Sequence, residues 1–197
     1  MWAAVAVAVA AAVALTPGPA PRVLAEKCLD CSLALWQSLS VPAQVRDQPV
    51  RAQVISQGER KFAPEFARDD ATGRAVRLSN LRGQVVLLNF WATWCGGCQV
   101  EIPWFVEFEN KYREQGLAAV GVAMDDDGWK SVQPYMRAKG VNYAIVIGDD
   151  KLAGLYGVVG MPVTVLIDRE GRIAASHAGA MSKDTYQKEI EALIQEK

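Results

Sequence analysis

The stretch that decides the fold is Val85-Val86-Leu87-Leu88-Asn89-Phe90-Trp91-Ala92-Thr93-Trp94-Cys95-Gly96-Gly97-Cys98, residues 85–98. Residues 85–92 are apolar except for Asn89. A run of that kind reads as a strand buried on both faces, inside a sheet covered by helices. Residues 95–115 read as a helix, with Val100, Trp104, Phe105 and Phe108 as its apolar positions. Pro103 sits inside that pattern and is expected to kink it. Cys95 and Cys98 therefore stand three apart where a buried strand gives way to a helix. Free N–H groups and the helix dipole at that end favour a thiolate, which points to Cys95 as nucleophile and Cys98 as the more enclosed, resolving thiol.

Two other readings of the pair stay open at this level. One is a purely structural disulfide. The other is half of a zinc site completed by Cys28 and Cys31, distant in sequence. Covalent haem is excluded, because it needs His directly after the second Cys and Ser32 and Gln99 stand there.

Beyond the pair, residues 117–124, 141–147 and 163–167 read as strands. Helices are expected from the Asp125-Asp126-Asp127-Gly128 turn to about Lys139, and over 149–156. The Asp-Arg-Glu-Gly turn at 168–171 joins 163–167 to a returning strand at 172–178. An amphipathic helix over 182–195 closes the chain, with Ser182 as N-cap. Alternation of strands and helices gives an α/β class, a central mixed β-sheet with helices on both faces. The three aspartates at 125–127 read as a solvated loop rather than a cation site.

The 197 residues are 51% hydrophobic and 22% charged, with a net charge of -1. That balance excludes a strongly basic nucleic-acid binder and a wholly disordered chain. Residues 1–15 are uniformly apolar and Pro17, Pro19 and Pro21 follow. A helix of about 14 residues spans roughly 21 Å, short of a bilayer core of roughly 30 Å. Residues 1–25 thus read as a signal peptide, cleaved after Ala25, or a short membrane anchor, although no Lys or Arg precedes the apolar run. Residues 26–60 form an N-terminal extension with a helix holding Cys28 and Cys31 and a weak strand over 50–55. Residues 61–197 form the main domain. Export would place the four cysteines where disulfides persist.

From Phe62 onward the chain resembles the TlpA/ResA group of thioredoxin-fold thiol-disulfide oxidoreductases. The resemblance rests on residues 78–95, on Cys98-Gln99-Val100-Glu101-Ile102-Pro103, on Tyr156-Gly157-Val158-Val159-Gly160-Met161-Pro162 and on residues 166–173. It implies a thioredoxin-like fold and a redox-active Cys95–Cys98 disulfide, with Glu101 as the nearby carboxylate and Asn89 where ordinary thioredoxins carry Asp. It also implies a cis-proline at Pro162, which with Met161 and Trp94 would meet the substrate. No cofactor and no metal are implied. Expected partners are client proteins with disulfides and a membrane thiol reductant, with no nucleic acid and with membrane contact only through an N-terminal anchor. The location implied is periplasmic, or the outer face of the inner membrane. Apocytochromes c and copper-site proteins are among the clients of the group. Two residues depart from its pattern. Gly97 replaces the usual Pro before the second Cys, and Val163 follows Pro162 where cytochrome-maturation members tend to carry Glu.

Two alternatives share the fold. A peroxiredoxin-type peroxidase would want Thr three residues before its reactive Cys, where this chain has Ala92. A Sco-like copper metallochaperone would want three residues between its cysteines and a His ligand. The single histidine, His177, falls on a terminal strand and reads as exposed surface, and a solvated helix residue is the alternative reading of Glu101.

Overall fold

The computed structural model describes residues 54–196. The signal or anchor reading, Cys28, Cys31 and most of the strand expected over 50–55 lie outside the described residues. Val54 and Ile55 are not in a strand, though the Ile55 N–H donates to the Ala174 carbonyl at 2.7 Å.

The strands are β1 (Ala67–Asp69), β2 (Ala75–Arg77), β3 (Val85–Trp91), β4 (Leu117–Ala123), β5 (Ala144–Ile147), β6 (Val163–Ile167) and β7 (Ile173–Ala178). The helices are α1 (Gly96–Tyr112), α2 (Trp129–Lys139), α3 (Asp150–Leu155) and α4 (Lys183–Gln195). β1 and β2 form a small antiparallel hairpin that the sequence reading did not anticipate, and its Asp70 bridges Val146 at the β5 edge. The main sheet runs β5-β4-β3-β6-β7, with β3, β4 and β5 mutually parallel and β6 antiparallel to both its neighbours, β3 and β7. This is the expected thioredoxin-like mixed sheet.

β3 is central and every one of its residues is buried. Its side chains alternate between two cores, as strand geometry requires. Val85, Leu87 and Trp91 pack with Ile102, Phe105 and Phe108 of α1, Val132 of α2 and Tyr186 and Ile190 of α4. Val86, Leu88 and Phe90 pack against Phe66, Leu78 and Leu152 on the other face. Cover is uneven. Three helices lie on one face, while the short α3 and the segment around Phe66 to Leu78 lie on the other.

Two local expectations are corrected. Val100 is exposed, because the buried arc of α1 runs through Cys98, Ile102, Phe105 and Phe108, and a residue two beyond Cys98 is turned about 200° away from it. β5 begins at Ala144 rather than at 141, since Asn142 is drawn to α1 by bonds from its side-chain amide to the Val106 carbonyl and Asn110 Oδ1. α1 continues past Pro103 as one helix.

Candidate active site

The sequence places Cys95 where β3 ends and α1 starts, and the structure makes it the N-cap of α1. Its Sγ accepts the Cys98 N–H at 3.2 Å, one of the donors a helix start leaves free. Cys95 and Cys98 are joined as a disulfide with Cα atoms 5.3 Å apart. Both are buried, Cys95 7% exposed and Cys98 0%.

The loop that carries Cys95 is held from both sides. Thr93 N–H donates to Asp125 Oδ2 at 3.1 Å and Thr93 Oγ1 donates to Oδ1 at 2.5 Å. The Thr93 carbonyl accepts from Gln99 Nε2 at 2.7 Å. Asp125 is therefore not a solvated loop residue. It is buried, because the end of β4 lies beside the end of β3 and the loop's free donors need an acceptor.

Pro162 follows a cis peptide bond after Met161 and is buried beside the pair. A Cβ at Gly97 would meet its Cδ at 3.2 Å, so glycine at 97 lets the proline ring close on the turn between the cysteines. The Pro162 carbonyl is taken by the Gly179 N–H at 2.8 Å, whereas the Met161 backbone groups bond no other described residue. Trp94 is 68% exposed and Val159 99%, so apolar surface flanks the disulfide from the residue before Cys95 and from the loop before Pro162.

Glu101 lies one helical turn beyond Cys98, and it is fully buried rather than solvated. Its Oε1 accepts Tyr186 O–H at 2.8 Å and Met181 N–H at 3.1 Å, while Oε2 is buried with no partner. Burial raises its carboxyl above the ordinary value, and this outweighs the downward pull of the Tyr186 and Met181 donors and of nearby His177. Burial likewise pushes the Tyr186 phenol up, so it stays protonated and donates. Asn89, on the same face of β3, donates to Thr164 Oγ1 at 3.0 Å.

His177 is a further correction. Its side chain is mostly covered, and Nε2 lies 2.7 Å from Oε2 of the fully buried Glu189. α4 packs across β7 and supplies that partner, so one of the two ring nitrogens, Nε2, is engaged. Sequence reasoning missed Tyr186 and Glu189. The available signal was a carboxylate between Tyr186, Ile190 and Leu193 on the apolar stripe of an amphipathic helix. Among the described residues no helix is long and apolar enough to cross a membrane.

Comparison with known proteins gives a consistent picture. The profile of the AhpC/TSA family matches residues 60–176. The thiol-disulfide oxidoreductase ResA of Geobacillus thermodenitrificans is 34% identical over 132 residues, 66% of this chain and 75% of the relative. ResA of Bacillus subtilis is 34% identical over 130 residues, 66% of this chain and 71% of the relative. The crystal structure of a candidate DsbE thiol:disulfide interchange protein from Chlorobium tepidum superposes with a TM-score of 0.64 at 33% identity, covering 68% of this chain and 96% of that one.

Proposed function

Starting from the fact that this chain belongs to the AhpC/TSA family and is a thiol-disulfide oxidoreductase of ResA type, we propose that it is an exported reductase of protein disulfides in which Cys95 attacks and Cys98 resolves. The observation that carries the reading is the unequal pair at the start of α1, with Cys95 slightly exposed at the N-cap and Cys98 fully covered. The Cys95 thiolate attacks one sulfur of a client disulfide and releases the other as a thiolate, leaving a mixed disulfide. Cys98 gives its proton to the Glu101 carboxylate, and its thiolate attacks Cys95 Sγ. The Cys95–Cys98 disulfide forms and the client leaves fully reduced. Spacing supports the proton step, because residues three apart on a helix are neighbours.

The client is bound in extended form against Met161, whose backbone groups are free to pair with it, and over Trp94. The apolar run of residues 1–15 supports export, to the periplasm or to the outer face of the inner membrane, with a membrane thiol reductant resetting the pair. Apocytochromes c and copper-site proteins are the candidate clients. Val163 after Pro162 favours a client set wider than apocytochromes.

Titration of the pair in redox buffers tests the direction of transfer. A potential more negative than about −200 mV supports a reductase, and one near the DsbA value of about −120 mV makes the protein an oxidase. Full activity of Cys95→Ser toward a disulfide substrate would overturn the assignment of the nucleophile.

A further inference from the structure

Behind Glu101 lies a second buried polar group that disulfide exchange has not yet used. Tyr186 on α4 joins the two. Its hydroxyl donates to Glu101 Oε1 at 2.8 Å, and its ring meets the His177 ring edge to face with centroids 5.7 Å apart. His177 Nε2 lies 2.7 Å from Glu189 Oε2, within hydrogen-bond distance. Glu101 and Glu189 are both fully buried, and each has one oxygen, Oε2 and Oε1 respectively, without a partner. No Lys or Arg bonds either carboxylate among the described residues. His177 keeps a small opening to solvent, through which protons can exchange.

We propose that His177, Tyr186 and Glu189 are positioning residues that set how readily Glu101 accepts the Cys98 proton. The proposal rests on the exchange mechanism above. An imidazole that carries a proton favours the ionised form of Glu101, and the Tyr186 O–H does the same by donating to it. The Glu189 carboxyl group, 2.7 Å from His177 Nε2, opposes that as a second acidic group in the same buried space. The remaining groups that face Glu101 are the Met181 N–H from the loop before α4 and, across the core, the buried Tyr143 hydroxyl, which stays neutral. Asn89 and Thr164 from β3 and β6 add dipoles but no charge.

The test is the pH dependence of exchange between the reduced protein and oxidised glutathione, followed from about pH 5 to 9. His177→Gln and Tyr186→Phe are each expected to move the inflection upward by about half to one pH unit. Below the inflection that is a loss of about three- to tenfold in rate, while above it the variants converge on the wild type. Glu189→Gln is expected to move the inflection downward, and it serves as the second variant should His177→Gln fail to fold. An inflection that stays in place in folded His177→Gln and Glu189→Gln proteins overturns the positioning role while leaving exchange intact. Absence of exchange by the wild type at every pH would overturn the mechanism itself.

Discussion

Replacing Asp125 by Ala should loosen the cysteine loop and cost measurable stability. The carboxylate is buried and accepts both the N–H and the hydroxyl of Thr93, two residues before Cys95. A hydrogen bond to a charged acceptor contributes about 1.5–3 kcal/mol, and a buried donor left unpaired costs about 1–3 kcal/mol. Thr93 is only partly covered, so water can reach some of what the carboxylate held. The expected loss is about 2–3 kcal/mol, or roughly 6–12 °C in Tm for a domain of this size. Asp125→Asn keeps one acceptor oxygen and should lose about 1 kcal/mol. The exposed neighbour Asp126→Ala is the control and should stay within about 0.5 kcal/mol of wild type. Urea unfolding of the three variants, in the oxidised state, gives the comparison, and exchange with a model disulfide should slow in the order Asp125→Ala, Asp125→Asn, wild type. The reasoning is refuted if Asp125→Ala unfolds at the same urea midpoint as Asp126→Ala.

Asp168→Asn should destabilise by about 3 kcal/mol, since it breaks a buried pair with Arg60 and removes an acceptor for Arg172. Burial alone would raise the Asp168 carboxyl, but the Arg172 N–H and the Arg60 and Arg172 side chains outweigh it and hold the group below its ordinary value. Its contribution is therefore present above the unfolded-state pKa and lost as pH falls through the folded one, and urea titrations at a series of acidic pH values should show a shallower fall for Asp168→Asn than for wild type. Gly97→Ala adds a methyl 3.2 Å from Pro162 Cδ. Its helix propensity gain offsets that contact, so stability should change by less than about 1 kcal/mol while KM for a disulfide substrate rises. Trp94→Ala should raise KM with stability changed by no more than about 0.5 kcal/mol, because the ring is exposed; an unchanged KM would remove Trp94 from the client surface.

The readable parts of the fold were those where one periodicity dominates. β3, β4 and β6 are near-continuous apolar runs, and β6 begins and ends at the residues expected. Ser182 caps α4 as its sequence position implied. The β1–β2 hairpin escaped because its strands are three residues long with only Val76 buried between Ala75 and Arg77, too short for alternation to register. The Cys95–Cys98 pair was legible because strand end and helix start are local features, whereas the cis bond before Pro162 was expected only from the family resemblance. Asp125, His177, Tyr186 and Glu189 were not legible, since what makes each one matter is a partner on another element. A charged residue in a loop or on a helix face looks solvated until packing removes the water, and only the sheet order brings the β4 end to Thr93 and α4 to His177.

The central claim is that Cys95 attacks and Cys98 resolves, and trapping the intermediate tests it most directly. The reduced Cys98→Ser variant, mixed with oxidised glutathione and analysed by intact mass and peptide mapping, should accumulate a stable mixed disulfide on Cys95. Reduced Cys95→Ser should accumulate little, because Cys98 is fully covered. Preferential labelling of Cys98 in the Cys95→Ser protein, or of Cys28 or Cys31 in place of Cys95, would contradict the account.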